Sequence, residues 1–155
     1  MKLSVLIAAL RLRHLAGAAL LSSSLAAYAL PAGLAQGPSV EGVTQYTLDN
    51  GLRLVLAPDD SKPTTTVNMT YLVGALHESY GETGMAHLLE HMVFKGTARR
   101  SARDIALVLE RLGGGLDAYT TREHTSYQAR VLDEHIDLGL DVLADLVLEP
   151  QLRPV

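Results

Sequence analysis

The sequence predicts an α+β fold, a mixed but mostly antiparallel sheet with helices packed on it. Three observations lead there. Short runs of alternating apolar and polar residues cluster before residue 75 and again around 116–131. Three other stretches carry apolar residues at helical spacing. The two kinds do not follow the strict strand–helix–strand order that a parallel sheet needs.

The first 35 residues stand apart. Residues 1–40 contain no Asp or Glu, and Lys2, Arg11 and Arg13 are their basic side chains. A basic start, the apolar stretch Leu15–Leu30 and small residues up to Ala35 read as a signal peptide over 1–35. Small-x-small cleavage patterns end at Ala29 and at Ala35, and Pro31, just upstream of the second, favours Ala35. Leu15–Leu30 falls short of the ~20 residues a membrane span needs, and Ser22, Ser23 and Ser24 dilute it further. No stable span is therefore expected in the mature chain. An acid-free segment with arginines also fits a mitochondrial presequence, so export to the periplasm or medium is the first expectation and a mitochondrial location the alternative.

Beyond it, Gly37-Pro38-Ser39 reads as a loop. Val43–Leu48 and Leu52–Ala57 flank Asn50-Gly51, the strongest short hairpin signal. Thr64–Val73 follows as a longer strand, with Val67, Met69, Tyr71 and Val73 on one side. A first helix is expected from Gly84 to Lys95, with Thr83 as N-cap and Gly96 as stop. A second begins at the N-cap Ser101, with Asp104 in its first turn and Ile105, Val108, Leu109 and Leu112 on one face, and ends at Gly113-Gly114-Gly115. A strand pair around Leu116–Thr120 and Thr125–Val131 comes next. The third helix, Asp133–Leu148, is expected to bury Ile136, Leu140, Leu143 and Val147. Its Asp133, Asp137, Asp141 and Asp145 recur every fourth residue and read as a solvated face, or less simply as a dock for a basic peptide.

Composition narrows the function. The 155 residues are 48% hydrophobic and 19% charged, the size of one domain and too apolar for a disordered chain. Mean hydropathy of +0.16 argues against a protein of many membrane spans. A net charge of −4 argues against nucleic acid as a partner. Without cysteine there is no disulfide, thiolate ligand or thiol nucleophile, so any metal rests on His and carboxylate.

His87-Leu88-Leu89-Glu90-His91 supplies those groups. At about 100° per residue, His91 lies about 40° from His87 on a helical wheel and Glu90 about 60° to the other side. All three project from one face, while Met85, Leu88, Leu89, Met92 and Val93 form an opposite, apolar face expected to be buried. Two imidazoles one turn apart can reach a single Zn²⁺. Glu90, set to one side, can act as general base toward a water that the metal acidifies. The order is His-x-x-Glu-His, the reverse of the His-Glu-x-x-His metalloprotease signature.

Gly84 to Thr97, with this motif inside it, closely resembles the active-site stretch of the inverzincin peptidases, the pitrilysin, insulinase and mitochondrial-processing-peptidase family (peptidase family M16). Gly114 to Tyr127 is similar to that family's glycine-rich turn followed by Asn-Ala-x-Thr. The Asn50-Gly51-Leu52 hairpin and the Gly74/Glu78 region also stand in family order, and the resemblance covers roughly residues 43–155. It implies a zinc metalloendopeptidase of the processing-peptidase-like fold, acting on extended or unfolded peptides, with one zinc ion held by His87 and His91 and Glu90 as catalytic base. It implies a third ligand, a Glu on a later helix, that would fall past Val155. Glu149, at a helix end before Pro150, comes too early. Residues 36–155 are thus expected to be the N-terminal part of the peptidase domain, and two imidazoles plus water would hold zinc weakly.

In relatives the Asn-Ala segment is an edge strand that pairs with substrate, which makes Asp117 and Ala118 the expected substrate-binding residues. Asp117 departs from the usual Asn. An ionised carboxylate accepts but does not donate hydrogen bonds, so it would either favour a basic substrate residue or serve only the turn. The family also contains inactive subunits that bind peptides beside an active mate, so a non-catalytic partner is the alternative function, and a homo- or heterodimer with a similar domain is an expected assembly. His14, His77, His124 and His135 are expected to be ordinary local histidines, and Lys95, Arg99, Arg100 and Arg103 an exposed basic cluster.

Overall fold

The computed structural model describes the backbone of residues 3–8 and all of residues 30–152. Seven strands form one sheet: β1 (Leu3–Ala8), β2 (Leu34–Val40), β3 (Val43–Leu48), β4 (Arg53–Leu56), β5 (Thr64–Tyr71), β6 (Gly115–Thr120) and β7 (Thr125–Leu132). Their order is β2-β3-β4-β1-β5-β7-β6. β1 runs parallel to β4, and the other pairings are antiparallel. Three helices, α1 (Met85–Val93), α2 (Ala102–Val108) and α3 (Ile136–Leu148), complete an α+β fold.

The β3–β4 hairpin forms where Asn50-Gly51 predicts it. Gly51 takes φ 85°, and the Asn50 side chain accepts from the Leu52 amide at 3.0 Å. The Gly37-Pro38-Ser39 loop is corrected: these residues lie inside β2, an edge strand whose register against β3 shifts between Gln36 and Ser39. An edge tolerates the amide that proline lacks. The segment read as an export signal enters the structure as β1, between β4 and β5, and as the start of β2. Residues 9–29, with the Ala29 cleavage point and most of Leu15–Leu30, lie outside the described residues. Among the described residues no helix is long and apolar enough to cross a membrane.

The core sits on one face of one end of the sheet. Val67 of β5 faces Ala129 of β7, which faces Leu116 of β6, and Val131 and Tyr127 share that side. Val93 of α1, Ile105 of α2, Leu109, and Val142, Leu143 and Leu146 of α3 close over them. No buried hydrophobic residue comes from β2, β3 or β4. α3 approaches β7 at Gly139, where a Cβ would stand 3.3 Å from both Val131 methyls. That close approach rotates the buried stripe. Gly139, Val142, Leu143, Asp145 and Leu146 are buried, whereas Ile136, Leu140 and Val147, expected inside, are only partly so. The stripe follows the residue that lets helix and sheet touch, not the largest side chains.

The opposite face of the same strands is polar. Ser126, fully buried, donates to Asn68 Oδ1 at 2.7 Å. The acidic repeat of α3 is likewise corrected: Asp145 is 3% exposed, and its carboxylate binds Arg99, Arg100 and Thr97. Arg99 and Arg100 also pair with Asp141, so two of the four expected basic-cluster residues are tied to α3.

Candidate metal centre

α1 carries the site, and both of its ends are anchored. Its N-cap is Gly84, not Thr83, in left-handed backbone (φ 91°) and with no side chain to cap the first turn. Glu78 does so from the preceding loop: Oε2 accepts from the Gly84 amide at 2.8 Å and Oε1 from the Ala86 amide at 2.9 Å. These two bonds hold the Glu78 carboxyl below the usual carboxylate range. The loop reaches that position because Gly74 lies against the β6–β7 turn. A Cβ there would stand 2.3 Å from the Thr121 carbonyl oxygen, and the Ala75 and Leu76 amides donate to the Thr121 and Arg122 carbonyls. Beyond the C-terminal end of α1, Thr97 donates to Asp145 at 2.8 Å.

The expected burial of α1 is reversed in part. Glu90 (7% exposed) and Val93 are its buried residues, while Met85, Leu88 and Leu89 are 48–54% exposed. The helix lies on β6 and β7 through the Glu90–Val93 side, where Thr120 of β6 meets the buried carboxylate: Thr120 Oγ1 donates to Glu90 Oε2 at 2.7 Å. Wheel arithmetic ranks faces by apolarity and does not register the polar partner of Glu90.

His87 and His91 are exposed on the adjoining side, their Nε2 atoms 3.1 Å apart and their rings tilted by 48°. One ligand atom from each of His87, Glu90 and His91 falls within 4.8 Å of the others, the one such group among the described residues. Two nitrogens bound to one tetrahedral zinc ion at ~2.0–2.1 Å stand about 3.3 Å apart, so the ring pair fits that ion with a small adjustment. The same spacing serves a hydrogen bond when one nitrogen carries a proton. The donor set, two imidazoles and a carboxylate without thiolate, suits zinc.

Below Glu90, Tyr127 has its hydroxyl pKa pushed up to about 12, by burial first and by the Glu90 charge second, so the phenol stays protonated. His14 lies outside the described residues, and the remaining histidines have local neighbours. His77 Nδ1 accepts from the Gly74 amide at 3.2 Å, His124 Nδ1 lies 3.0 Å from Thr121 Oγ1, and His135 is the N-cap of α3.

β6 is the last strand of the sheet, with one edge unpaired. Thr121 donates to His124 across the turn, so by antiparallel alternation the Ala118 N–H and C=O point to that free edge. Asp117 and Ala118 separate by face: Ala118 is half-buried on the α1 side with Thr120, whereas Asp117 is exposed on the other. Asp117 Oδ1 accepts from the Ala118 amide at 2.9 Å, and Oδ2 lies 3.4 Å from Gln128 Nε2.

The family model described as insulinase (peptidase family M16) matches residues 53–155. The chain belongs to this peptidase family. It is 43% identical over 104 residues to an uncharacterized zinc protease, YmxG, of Bacillus subtilis, covering 67% of this chain and 25% of that one. It is 48% identical over 101 residues to a probable mitochondrial-processing peptidase subunit beta of Arabidopsis thaliana, covering 65% of this chain and 19% of that one. Among solved structures it resembles a protease from Helicobacter pylori (TM-score 0.68, 31% identity, 72% of this chain and 27% of that one). It also resembles pitrilysin (TM-score 0.65, 29% identity, 72% of this chain and 12% of that one). The chain thus spans about a quarter or less of the length of these curated relatives, which carry bacterial and mitochondrial names alike.

Of the residues expected to act, His87, Glu90 and His91 are brought together, and Ala118 lies on the strand beside them. Thr120 and Glu78 are additions. Thr120 sits at the threonine of the Asn-Ala-x-Thr pattern and shares a face with Ala118 by alternation, a signal that was present but pointed to no partner.

Proposed function

We propose that this chain carries the zinc-binding and proton-transfer residues of an endopeptidase that cleaves extended or unfolded peptides. The observation that carries the reading is the triple of ligand atoms on α1, two imidazole nitrogens 3.1 Å apart with a buried carboxylate beside them. His87 and His91 would hold one Zn²⁺ through Nε2. When bound, zinc acidifies a coordinated water and polarises the scissile carbonyl. Glu90 takes a proton from the attacking water and hands it to the departing amide nitrogen. The free edge of β6 receives the peptide as an added strand through the Ala118 N–H and C=O, which sets the peptide beside the face that carries Thr120 and Glu90. Asp117, on the other face, touches the neighbouring substrate residue and not the reacting bond.

A non-catalytic, peptide-binding role is the second reading. It is favoured by Asp117, whose ionised carboxylate accepts but cannot donate at the strand edge and already holds the Ala118 amide at 2.9 Å. Zinc content and cleavage of an unstructured peptide separate the two. Glu90→Gln is expected to keep zinc and abolish turnover; turnover that survives overturns the assigned base. Export to the periplasm or medium is part of the proposal, as is pairing with a similar domain. N-terminal sequencing of the mature protein distinguishes cleavage after Ala35 from processing inside a mitochondrion.

A further inference from the structure

We infer that Thr120 is a positioning residue for the general base: its hydroxyl locks the Glu90 carboxylate in the orientation that faces the His87–His91 pair. This rests on the peptidase reading above and names a residue to which that reading gives no role.

The Glu90 side chain has three rotatable bonds, and a glutamate free to choose among rotamers loses entropy when it must adopt one. Here that ordering is done in advance. Glu90 is 7% exposed, and Thr120 Oγ1 donates to Oε2 at 2.7 Å, the length of a strong bond to a carboxylate. A hydroxyl has one hydrogen, so while it is spent on Glu90 it cannot be donated elsewhere.

Thr120 is itself held. It closes β6 opposite Thr125 of β7, and the Thr125 hydroxyl donates to the Val73 carbonyl at 3.0 Å with Thr120 Oγ1 a more distant 3.5 Å away. One residue further on, Thr121 is clasped by the Ala75 amide through its carbonyl and by His124 across the turn. The donor is therefore fixed by strand register and by the packing of Gly74, on elements separate from the ligand helix. With Oε2 occupied, the carboxylate keeps a second oxygen, and a Glu90 oxygen lies within 4.8 Å of both ring nitrogens. Threonine suits this position because a β-branched residue fits a half-buried strand while its hydroxyl reaches Glu90.

The test compares Thr120→Val, which keeps shape and loses the donor, with Thr120→Ser, which keeps the donor, alone and combined with Glu90→Gln, in the full chain. Zinc affinity is read by chelator competition, kcat and KM on an unstructured fluorogenic peptide, and the place of the Glu90 carboxylate in a metal-free crystal structure. Thr120→Val is expected to cut kcat about 10- to 100-fold while KM and zinc affinity stay within about threefold. Thr120→Ser is expected to restore kcat, and Thr120→Val to add nothing in the Glu90→Gln background. A kcat unchanged in Thr120→Val, a loss that falls on zinc affinity or KM, or failure of serine to rescue overturns the inference. Turnover surviving Glu90→Gln overturns the base assignment instead. Should the wild-type chain lack turnover, the crystal structure decides. In Thr120→Val the carboxylate is expected to leave its place beside the two rings, and a carboxylate that stays there overturns the role of Thr120.

Discussion

Thr97 Oγ1 donates to the buried carboxylate of Asp145, 48 residues away, while accepting from the Arg99 and Arg100 amides. One hydroxyl thereby ties the segment that follows the ligand helix to α3. Asp145→Ala would leave Arg100, half-buried, and Thr97 without their shared acceptor, and should cost about 2–3 kcal/mol of stability. Denaturant unfolding measures it; a loss of a few tenths would mean that Asp141 alone suffices.

The same cluster makes stability fall in acid. Hydrogen bonds from Arg100 and Arg99 hold the Asp141 carboxyl below the usual range. For Asp145, burial pushes the pKa up, but bonds from Thr97, Arg100 and Arg99 outweigh it and the net shift is downward. A depressed carboxyl binds its proton less readily folded than unfolded, so its contribution is complete above the unfolded value of about 3.9 and is lost as pH drops through the folded one. Melting temperature should decline below about pH 4, and Asp141→Asn with Asp145→Asn should flatten that decline.

Glu78 replaces the capping side chain that Gly84 cannot supply. Glu78→Ala should speed hydrogen exchange at the Gly84 and Ala86 amides and weaken zinc binding by up to about tenfold, since frayed backbone ahead of His87 lets its ring drift. Exchange rates identical to wild type would show that Glu78 is not what holds the turn.

Asp117 occupies the edge amide that an incoming strand would use. Peptide binding to β6 must break the Asp117–Ala118 bond. Asp117→Ala should therefore tighten binding of an extended peptide about two- to tenfold, read by fluorescence anisotropy in the Glu90→Gln background where nothing is cleaved. Weaker binding would mean that the contact of the carboxylate with the peptide outweighs its hold on the Ala118 amide.

Local chemistry was legible in the residues themselves. Asn50-Gly51 announces the β3–β4 hairpin, and Ser101 with Asp104 announces the start of α2, where each satisfies the other's backbone amide. His87, Glu90 and His91 announce a shared helix face. These signals lie within a few residues of one another, so the geometry of a single turn or helix is enough to read them.

What escaped the residue pattern is long-range. Periodicity ranks positions by apolarity, yet Asp145 is buried because two arginines and a threonine from another segment converge on it, and Leu88 and Leu89 stay open because α1 settles on the side where Thr120 meets Glu90. The stripe of α3 turns because Gly139 allows contact with Val131. The candidate site is contained in five consecutive residues, His87 to His91. Its orientation, its clamps at Glu78 and Thr120 and the free edge at Ala118 were decided by tertiary structure, because a hydrogen bond across 30 residues depends on where two elements meet and leaves no spacing in the chain to be counted.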